Sequence, residues 1–465
     1  MTHYDLLVLG SGSGNAIIDR DLEDWSVAIV EEGPFGGTCL NRGCIPSKMY
    51  VVPAQMALSA GRGADFGLRT TFDGVDWPAL RRRVLGVTDE HSADGRQYRV
   101  DQPWVDVHAG TARFTGPRTV HVDLLDGGSV ELSADHVVVA TGSRPVVPDI
   151  PGLADVEVHT SDTIMRLETM PARLGVVGGG YVGAEFAHVF SGLGAEVVQV
   201  DAAQTLLSNH DDDVAALFTR EVSRRWDVRL GAGLDEVERL DDGAARLHLS
   251  DGSTADVDVV LMAVGRTPNN DRLDLELTGV EVDEDGLVVV DEHQRTTAPG
   301  VWSLGDASSD QPLKHAANQD ARVVSHNLTH PDDLIASRHG HVPSAVFTSP
   351  QIASIGLTET QAREQGLDLA VATTEYADTA HGWALEESEG GHFVKLLADR
   401  ATGLLVGAHL IGPEASILVQ TLIHAMSHEQ PVAGLARSMY WIHPSLTEVV
   451  EQALLALEAE LGGAS

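Results

Sequence analysis

Apolar residues along this chain come in short unbroken runs closed off by glycine, and the runs recur in a fixed order. Leu6-Leu7-Val8-Leu9 is followed by Gly10-Ser11-Gly12-Ser13-Gly14-Asn15, and a second run, Val27-Ala28-Ile29-Val30, ends at Glu31. Short apolar runs bounded by turn residues predict strands buried on both faces, as in a parallel sheet. A strand, a glycine loop, a helix and a second strand ending in an acid make half of a nucleotide-binding unit. A charged stretch up to about residue 100 predicts helix, and short segments between 105 and 133 predict strands. His136-Val137-Val138-Val139-Ala140 predicts a buried strand that runs into Thr141-Gly142-Ser143, and Pro148 to Pro151 mark a linker.

The order then repeats. Leu174-Gly175-Val176-Val177 leads into Gly178-Gly179-Gly180-Tyr181-Val182-Gly183, and Val197-Val198-Gln199-Val200 ends at Asp201. The unit closes with Val259 to Arg266, which includes Gly265, and Gly300 to Asp306 reads as a strand and turn ending in a carboxylate. From about residue 342 strands and helices alternate without a phosphate loop, which predicts a third, non-nucleotide domain. The expected class is α/β: two Rossmann-like dinucleotide-binding domains plus a C-terminal α+β domain.

Composition narrows the functions. The 465 residues carry 69 acidic and 31 basic side chains, a formal charge of −38, which repels nucleic acid and anionic lipid. Its ordinary role is solubility; docking of a partner on an acidic face is the alternative. No apolar run of about 18 residues predicts a membrane span. The start of the chain lacks the pattern of a signal peptide, so the cytosol is the expected location.

Only two cysteines occur, Cys39 and Cys44. A cytosolic chain rarely carries a structural disulfide, and two cysteines without nearby histidines make a poor metal site, so no metal is expected. They lie in Gly36-Gly37-Thr38-Cys39-Leu40-Asn41-Arg42-Gly43-Cys44-Ile45-Pro46-Ser47-Lys48. Cysteines five apart can be bridged only if the helix start is distorted, which leaves a strained and reducible disulfide. A helix N-terminus favours thiolate, and Lys48 adds a cation one turn on. In the first glycine loop Gly10 allows the tight turn and Gly12 the approach of a pyrophosphate, with Glu31, 21 residues after Gly10, placed for ribose hydroxyls. The third glycine of that pattern is replaced by Asn15, whereas Gly178, Gly180 and Gly183 match in full. Among 21 histidines, His443 stands out because Glu448 follows it at a spacing suited to orienting a general acid–base.

The string from Gly36 to Lys48 resembles the redox motif of the pyridine nucleotide-disulfide oxidoreductases, and Thr141-Gly142, Gly305-Asp306 and His443-Pro444 fall where that family has its own motifs. The resemblance covers essentially the whole chain. It implies an FAD-binding domain in two parts (1–147 and 267–340), an inserted NAD(P)H-binding domain (148–266), and a dimerisation domain (341–465) of a homodimer. It further implies Cys39 as the interchange thiol, Cys44 as the thiolate next to the flavin, and Asp306 on the FAD ribityl chain. Tyr181 becomes the lid where nicotinamide docks and Glu185 the partner of Lys48. His443 with Glu448 reaches the cysteines across the dimer interface. Thr38, Thr141, Gly142 and Gly265 join the cofactor-binding set.

Strings outside the shared motifs point to the substrate. The Gly10 to Asn15 loop, His159 to Thr163, Glu185 to Phe190, His381-Gly382-Trp383-Ala384 and Met439 to Glu451 resemble the mycothione-reducing branch of the family. That implies reduction of mycothione by NAD(P)H; dihydrolipoamide dehydrogenation is the alternative, and a non-catalytic flavoprotein subunit a third reading. Glutathione would need cations for its carboxylates, and Ala16-Ile17-Ile18-Asp19 supplies none. For the coenzyme, Asp201 accepts bonds from ribose hydroxyls and repels a 2′-phosphate, and Ala202 and Ser208 stand where NADPH-using relatives place arginines. Local chemistry therefore favours NADH, while the resemblance implies NADPH; Arg220, Arg224 or Arg225 could compensate by folding back.

Overall fold

In the computed structural model, which describes residues 1–337, 340–387 and 391–462, the first sheet is built on β1 (Thr2–Leu9). β1 pairs in parallel with β2 (Val27–Glu31), and β2 pairs with the first half of β3 (Val105–Gly116). The second half of β3 turns antiparallel to β4 (Thr119–Leu124), which pairs with β5 (Ser129–Val139). β5 then runs parallel to β1 on one side and to the strand Val301–Ser303 on the other. The separate segments expected on either side of residue 133 are thus one strand serving both an antiparallel meander and the parallel core. Leu6, Leu7 and Val8 are fully buried, as are Val137, Val138 and Val139, because both faces of the sheet are covered.

The helix expected after the first glycine loop is absent. Only Gly10 to Ser26 separate β1 from β2, and they form two short 3₁₀ turns, Gly14–Ile17 and Arg20–Leu22. Asn15 has a role there. Arg99, buried at the end of a long helix, donates from Nε to Asn15 Oδ1 at 2.7 Å and from Nη2 to the Asn15 carbonyl at 2.8 Å. The packing expected of a third glycine falls to Gly14, whose added Cβ would lie 2.8 Å from both Val8 and Ala140.

Three helices follow β2: α1 (Gly37–Arg42), α2 (Cys44–Gly61) and α3 (Trp77–Val100), the last capped by Asp76. The chain leaves the first unit on Ser143–Pro145 and returns antiparallel to it on Arg266–Pro268. Between them lies a five-stranded parallel sheet in the order Asp227–Leu230, Glu196–Asp201, Arg173–Val177, Val259–Met262, Val158–His159. Helix α4 (Tyr181–Gly192) follows its glycine loop, and α5 (Asp212–Val222) packs against the strand Leu405–Gly412 of the C-terminal part. After Val301–Ser303 comes α6 (Lys314–Thr329). The C-terminal part is a five-stranded antiparallel sheet covered by the helices Ala415–Ser427 and Thr447–Gly462, with Leu410, Leu422, Val449 and Leu457 in its core. No helix among the described residues is long and apolar enough to cross a membrane.

Candidate active site

The helix break needed between the two cysteines is present. Cys39 ends up inside α1 and Cys44 opens α2, separated by Gly43 at φ −141°, ψ −121°. An added Cβ on Gly43 would lie 2.9 Å from the Thr38 carbonyl oxygen, so no larger residue fits between the helices. Both cysteines are free thiols, Cys39 half-buried and Cys44 exposed. The Cys39 thiol hydrogen-bonds to the Cys44 sulfur, which lowers the Cys44 pKa; burial opposes this and the Lys48 charge reinforces it. The same hydrogen bond, with burial, pushes Cys39 up. The pair is asymmetric: Cys44 is the readier thiolate.

Lys48, one turn into α2, places Nζ 2.7 and 2.9 Å from the two carboxylate oxygens of Glu185 on α4, which is buried. Glu185 also accepts the Phe347 N–H at 3.0 Å, and the Lys48 ammonium sits 4.6 Å above the Phe347 ring. One carboxylate thus ties α2, the inserted unit and the start of the C-terminal part together behind the dithiol. Tyr181, the first residue of α4 and 39% exposed, lies in the electrostatic reach of Cys44, Glu185, Arg266 and Asp306.

The two glycine loops repeat one pattern of bonds. Glu31 accepts the Ser11 N–H at 2.8 Å on one oxygen and the Gly33 N–H at 2.8 Å on the other. Asp201 accepts the Gly179 N–H on one oxygen and the Ala203 N–H, at 2.6 Å, on the other. Each acid therefore anchors its own loop. Gly10 and Gly178 both have positive φ (104° and 121°), and an added Cβ would collide with Ala140 O at 2.3 Å and with Ala263 O at 2.2 Å. Gly12 and Gly37 approach so closely that a Cβ on Gly37 would lie 2.6 Å from the Gly12 Cα, while Gly180, Gly142 and Gly265 face open space. A Cβ on Gly183 would fall 2.1 Å from the Gly178 carbonyl, the close packing expected of a third glycine.

This cradle fits FAD. Asp306 accepts the Ser143 hydroxyl on one oxygen, and Arg266 Nε donates to the same hydroxyl at 2.8 Å. Among the described residues Thr141 Oγ1 and Ser308 Oγ are buried without a partner, polar atoms of the kind a bound dinucleotide satisfies. The Thr38 carbonyl and Cγ2 both lie against the Gly43 position. No group of three or more metal-ligating side chains is assembled among the described residues.

His443 bonds to Glu448, at the start of the last helix. Its Nδ1 is 2.8 Å from Glu448 Oε1, and its side chain is 71% exposed. The bond from His443 holds Glu448 below the ordinary carboxylate range. Around it Tyr440, Ile442 and Met439 are exposed. Two corrections follow from the same geometry. Ile17 and Ile18 are core residues, and Arg20 is exposed beside them, so this stretch does not disfavour a carboxylate-bearing disulfide. Arg225 is committed to the Ser349 carbonyl at 2.6 Å and to His188, and Arg220 and Arg224 pair with Glu221, so none folds back to Asp201.

Lys314 was not legible as a site residue. Its Nζ donates to Ser13 Oγ at 2.8 Å and it feels the charges of Cys39, Cys44 and Asp306. The signal available was its position eight residues after Asp306, at the start of the next helix.

A thiol pair with one favoured thiolate, set between two dinucleotide cradles, defines a nicotinamide-driven disulfide oxidoreductase. The comparisons with known proteins lead to the same class. A profile for the pyridine nucleotide-disulphide oxidoreductases matches residues 4–321, and one for their dimerisation domain matches residues 342–454. The chain belongs to this family of FAD-binding, NAD(P)H-using enzymes. It is 46% identical to the mycothione reductase of Mycobacterium tuberculosis, over 98% of this chain and all of that one. The dihydrolipoyl dehydrogenase of Haloferax volcanii is 34% identical over 97% and 96% of the two chains, and the glutathione reductase of Burkholderia cepacia 33% over 96% and 97%. An HOCl-induced flavoprotein disulfide reductase from Escherichia coli superposes with a TM-score of 0.85 at 27% identity, over 97% and 99% of the chains.

Proposed function

We propose that the enzyme is a cytosolic homodimer that reduces mycothione to two molecules of mycothiol, at the expense of NADH and a proton. The observation that carries the chemistry is the Cys39–Cys44 pair, held open by Gly43, with the thiolate favoured at Cys44. The substrate is supported by the 46% identity to a mycothione reductase, against 34% and 33% for relatives named for lipoyl and glutathione substrates.

Cys39 attacks one sulfur of the disulfide, forming a mixed disulfide and expelling one mycothiol thiolate. A proton held on Nε2 of the partner subunit's His443 neutralises that leaving group, as a histidine of near-neutral pKa can. Glu448 fixes the tautomer by occupying Nδ1. Cys44 then attacks Cys39, closes the protein disulfide and releases the second mycothiol. Gly10, Gly12, Glu31, Thr141, Gly142 and Asp306 would hold FAD, which would supply the two-electron transfer from the nicotinamide to that disulfide. Lys48 keeps a fixed positive charge beside Cys44 because Glu185 holds it there. The nicotinamide dinucleotide is held by Gly178, Gly180, Gly183 and Asp201, with Tyr181 over its entry. Exposed Tyr440 and Ile442, and Ile45, Val52 and Met56 along one side of α2, supply apolar surface for the second subunit.

The test is a substrate panel. NADH oxidation is measured with mycothione, oxidised lipoamide and glutathione disulfide at equal concentration. Mycothione is expected to have the highest kcat/KM, and a lipoamide preference would overturn the assignment in favour of dihydrolipoamide dehydrogenation.

A further inference from the structure

Two ammonium groups, not one, flank the dithiol. Lys48 is ion-paired with both oxygens of Glu185. Lys314 is different. It is half-buried, and among the described residues no carboxylate lies within ion-pair distance of its Nζ. Its bond to Ser13 Oγ, 2.8 Å long, turns the side chain along the glycine loop. That loop lies against the start of α1, where a Cβ on Gly37 would lie 2.6 Å from the Gly12 Cα, and α1 carries Cys39. A lysine with a free route to water snorkels outward. A half-buried cation stabilises an anion that forms beside it.

We propose that Lys314, positioned by Ser13, is the cation that serves Cys39, as Lys48 serves Cys44, so that each sulfur of the pair has its own ammonium. Thiol exchange needs negative charge on the two sulfurs in turn: on Cys39 to attack the substrate, then on Cys44 to resolve the mixed disulfide. The hydrogen bond between the thiols favours only the second. The Lys314 charge works against that bias, lowering Cys39 where the bond to Cys44 raises it. Lys314 moves no proton; that task stays with the histidine. The charged and titratable groups that act on the two sulfurs are Lys48, Glu185, Tyr181 and Lys314, with Asp306 beside Tyr181 and Lys314 and Arg266 beside Tyr181. The inference rests on Cys39 and Cys44 being the redox pair and is independent of which disulfide is reduced.

The experiment follows Cys39 directly. In reduced, FAD-loaded enzyme carrying Cys44→Ser, the rate of iodoacetamide alkylation is measured against pH, with FAD content recorded from its absorbance. An opposite charge close by shifts a pKa by about one unit or more. Lys314→Met should therefore move the midpoint up by about one pH unit and slow alkylation roughly tenfold below it. Lys314→Arg should keep the midpoint, and Ser13→Ala should move it in the same direction by less. An unchanged midpoint in Lys314→Met overturns the proposal. So does loss of FAD with an unchanged midpoint, which would assign the ammonium to the dinucleotide pyrophosphate. If Lys314→Met does not accumulate, Ser13→Ala carries the test, and an unshifted midpoint there overturns it.

Discussion

The coenzyme preference can be worked out from the end of the strand Glu196–Asp201. NADPH differs from NADH by a 2′-phosphate, which would arrive at Asp201. That carboxylate already accepts two backbone N–H groups, so it is fixed in place and cannot swing away from a phosphate. Ala202 and Ser208 are exposed and offer no cation, and the three arginines of the α5 region are engaged elsewhere. A charge-assisted bond to a phosphate contributes about 1.5–3 kcal/mol. Lacking one such bond should cost NADPH roughly 10–150-fold in kcat/KM relative to NADH. Repulsion by Asp201 adds to this, and salt screens that part because the site is open. The assay is kcat/KM for both donors in wild type, in Ala202→Arg with Ser208→Arg, and in Asp201→Ile with Ala202→Arg. The first double variant keeps Asp201 and its loop bonds, so a gain in NADPH use there is purely the new cations. The second removes the repulsion but frees two N–H groups, and should lose NADH affinity as well. A wild type that prefers NADPH refutes the reasoning.

Cys39→Ser should abolish disulfide turnover yet keep the long-wavelength absorbance of a thiolate against flavin, and Cys44→Ser should lose that band; normal turnover by Cys39→Ser would reverse the assigned roles. Because the Cys44 pKa is lowered, the band should persist on acidification below the ordinary thiol range and fade only as pH falls through the lowered value. Lys48→Met should move that fading to higher pH, and Glu185→Gln, which removes a charge that raises Cys44, to lower pH. His443→Ala should slow the disulfide half-reaction by about 10²–10⁴-fold, with flavin reduction unchanged in stopped flow; equal loss in both halves would mean a structural role. Burial pushes His188 to about 3 and His210 to about 4. Both values are depressed, so their contribution to stability is fully present above about pH 6.5 and is lost as pH falls toward them, at about 1.4 kcal/mol per unit and group. A thermal midpoint that stays flat from pH 8 to pH 4.5 would contradict this.

Much of the molecule was legible because its strands are unbroken apolar runs ended by glycine or acid. β2 and the strands Arg173–Val177 and Glu196–Asp201 lie within a residue or two of their expected bounds, and β1 ends where expected but begins four residues earlier, at Thr2. The dithiol string was equally direct, since Gly43 has one physical use between two helix-borne cysteines. The first glycine loop misled for an equally physical reason. Its third position holds Asn15 because a buried arginine, 84 residues away, needs an acceptor there, and no local rule registers so distant a partner. The commitment of Arg225 to Ser349 and His188 was hidden in the same way. Lys314 belongs to no motif and gains its setting only when α6 folds back on Ser13, 301 residues earlier.

The route by which the inserted unit leaves and rejoins the first one also sets an order of events on the ribosome. β5 stands complete at Val139, but its neighbour on one side, Val301–Ser303, pairs with Val137, Val138 and Val139 only after the whole insertion has been made. At about 5–20 residues per second that wait lasts roughly 10–30 s. The inserted sheet needs nothing beyond Met262 to close. The part of the chain synthesised first is therefore the later of the two to finish, and an open edge of valines is exposed while it waits, the kind of surface on which nascent chains pair wrongly.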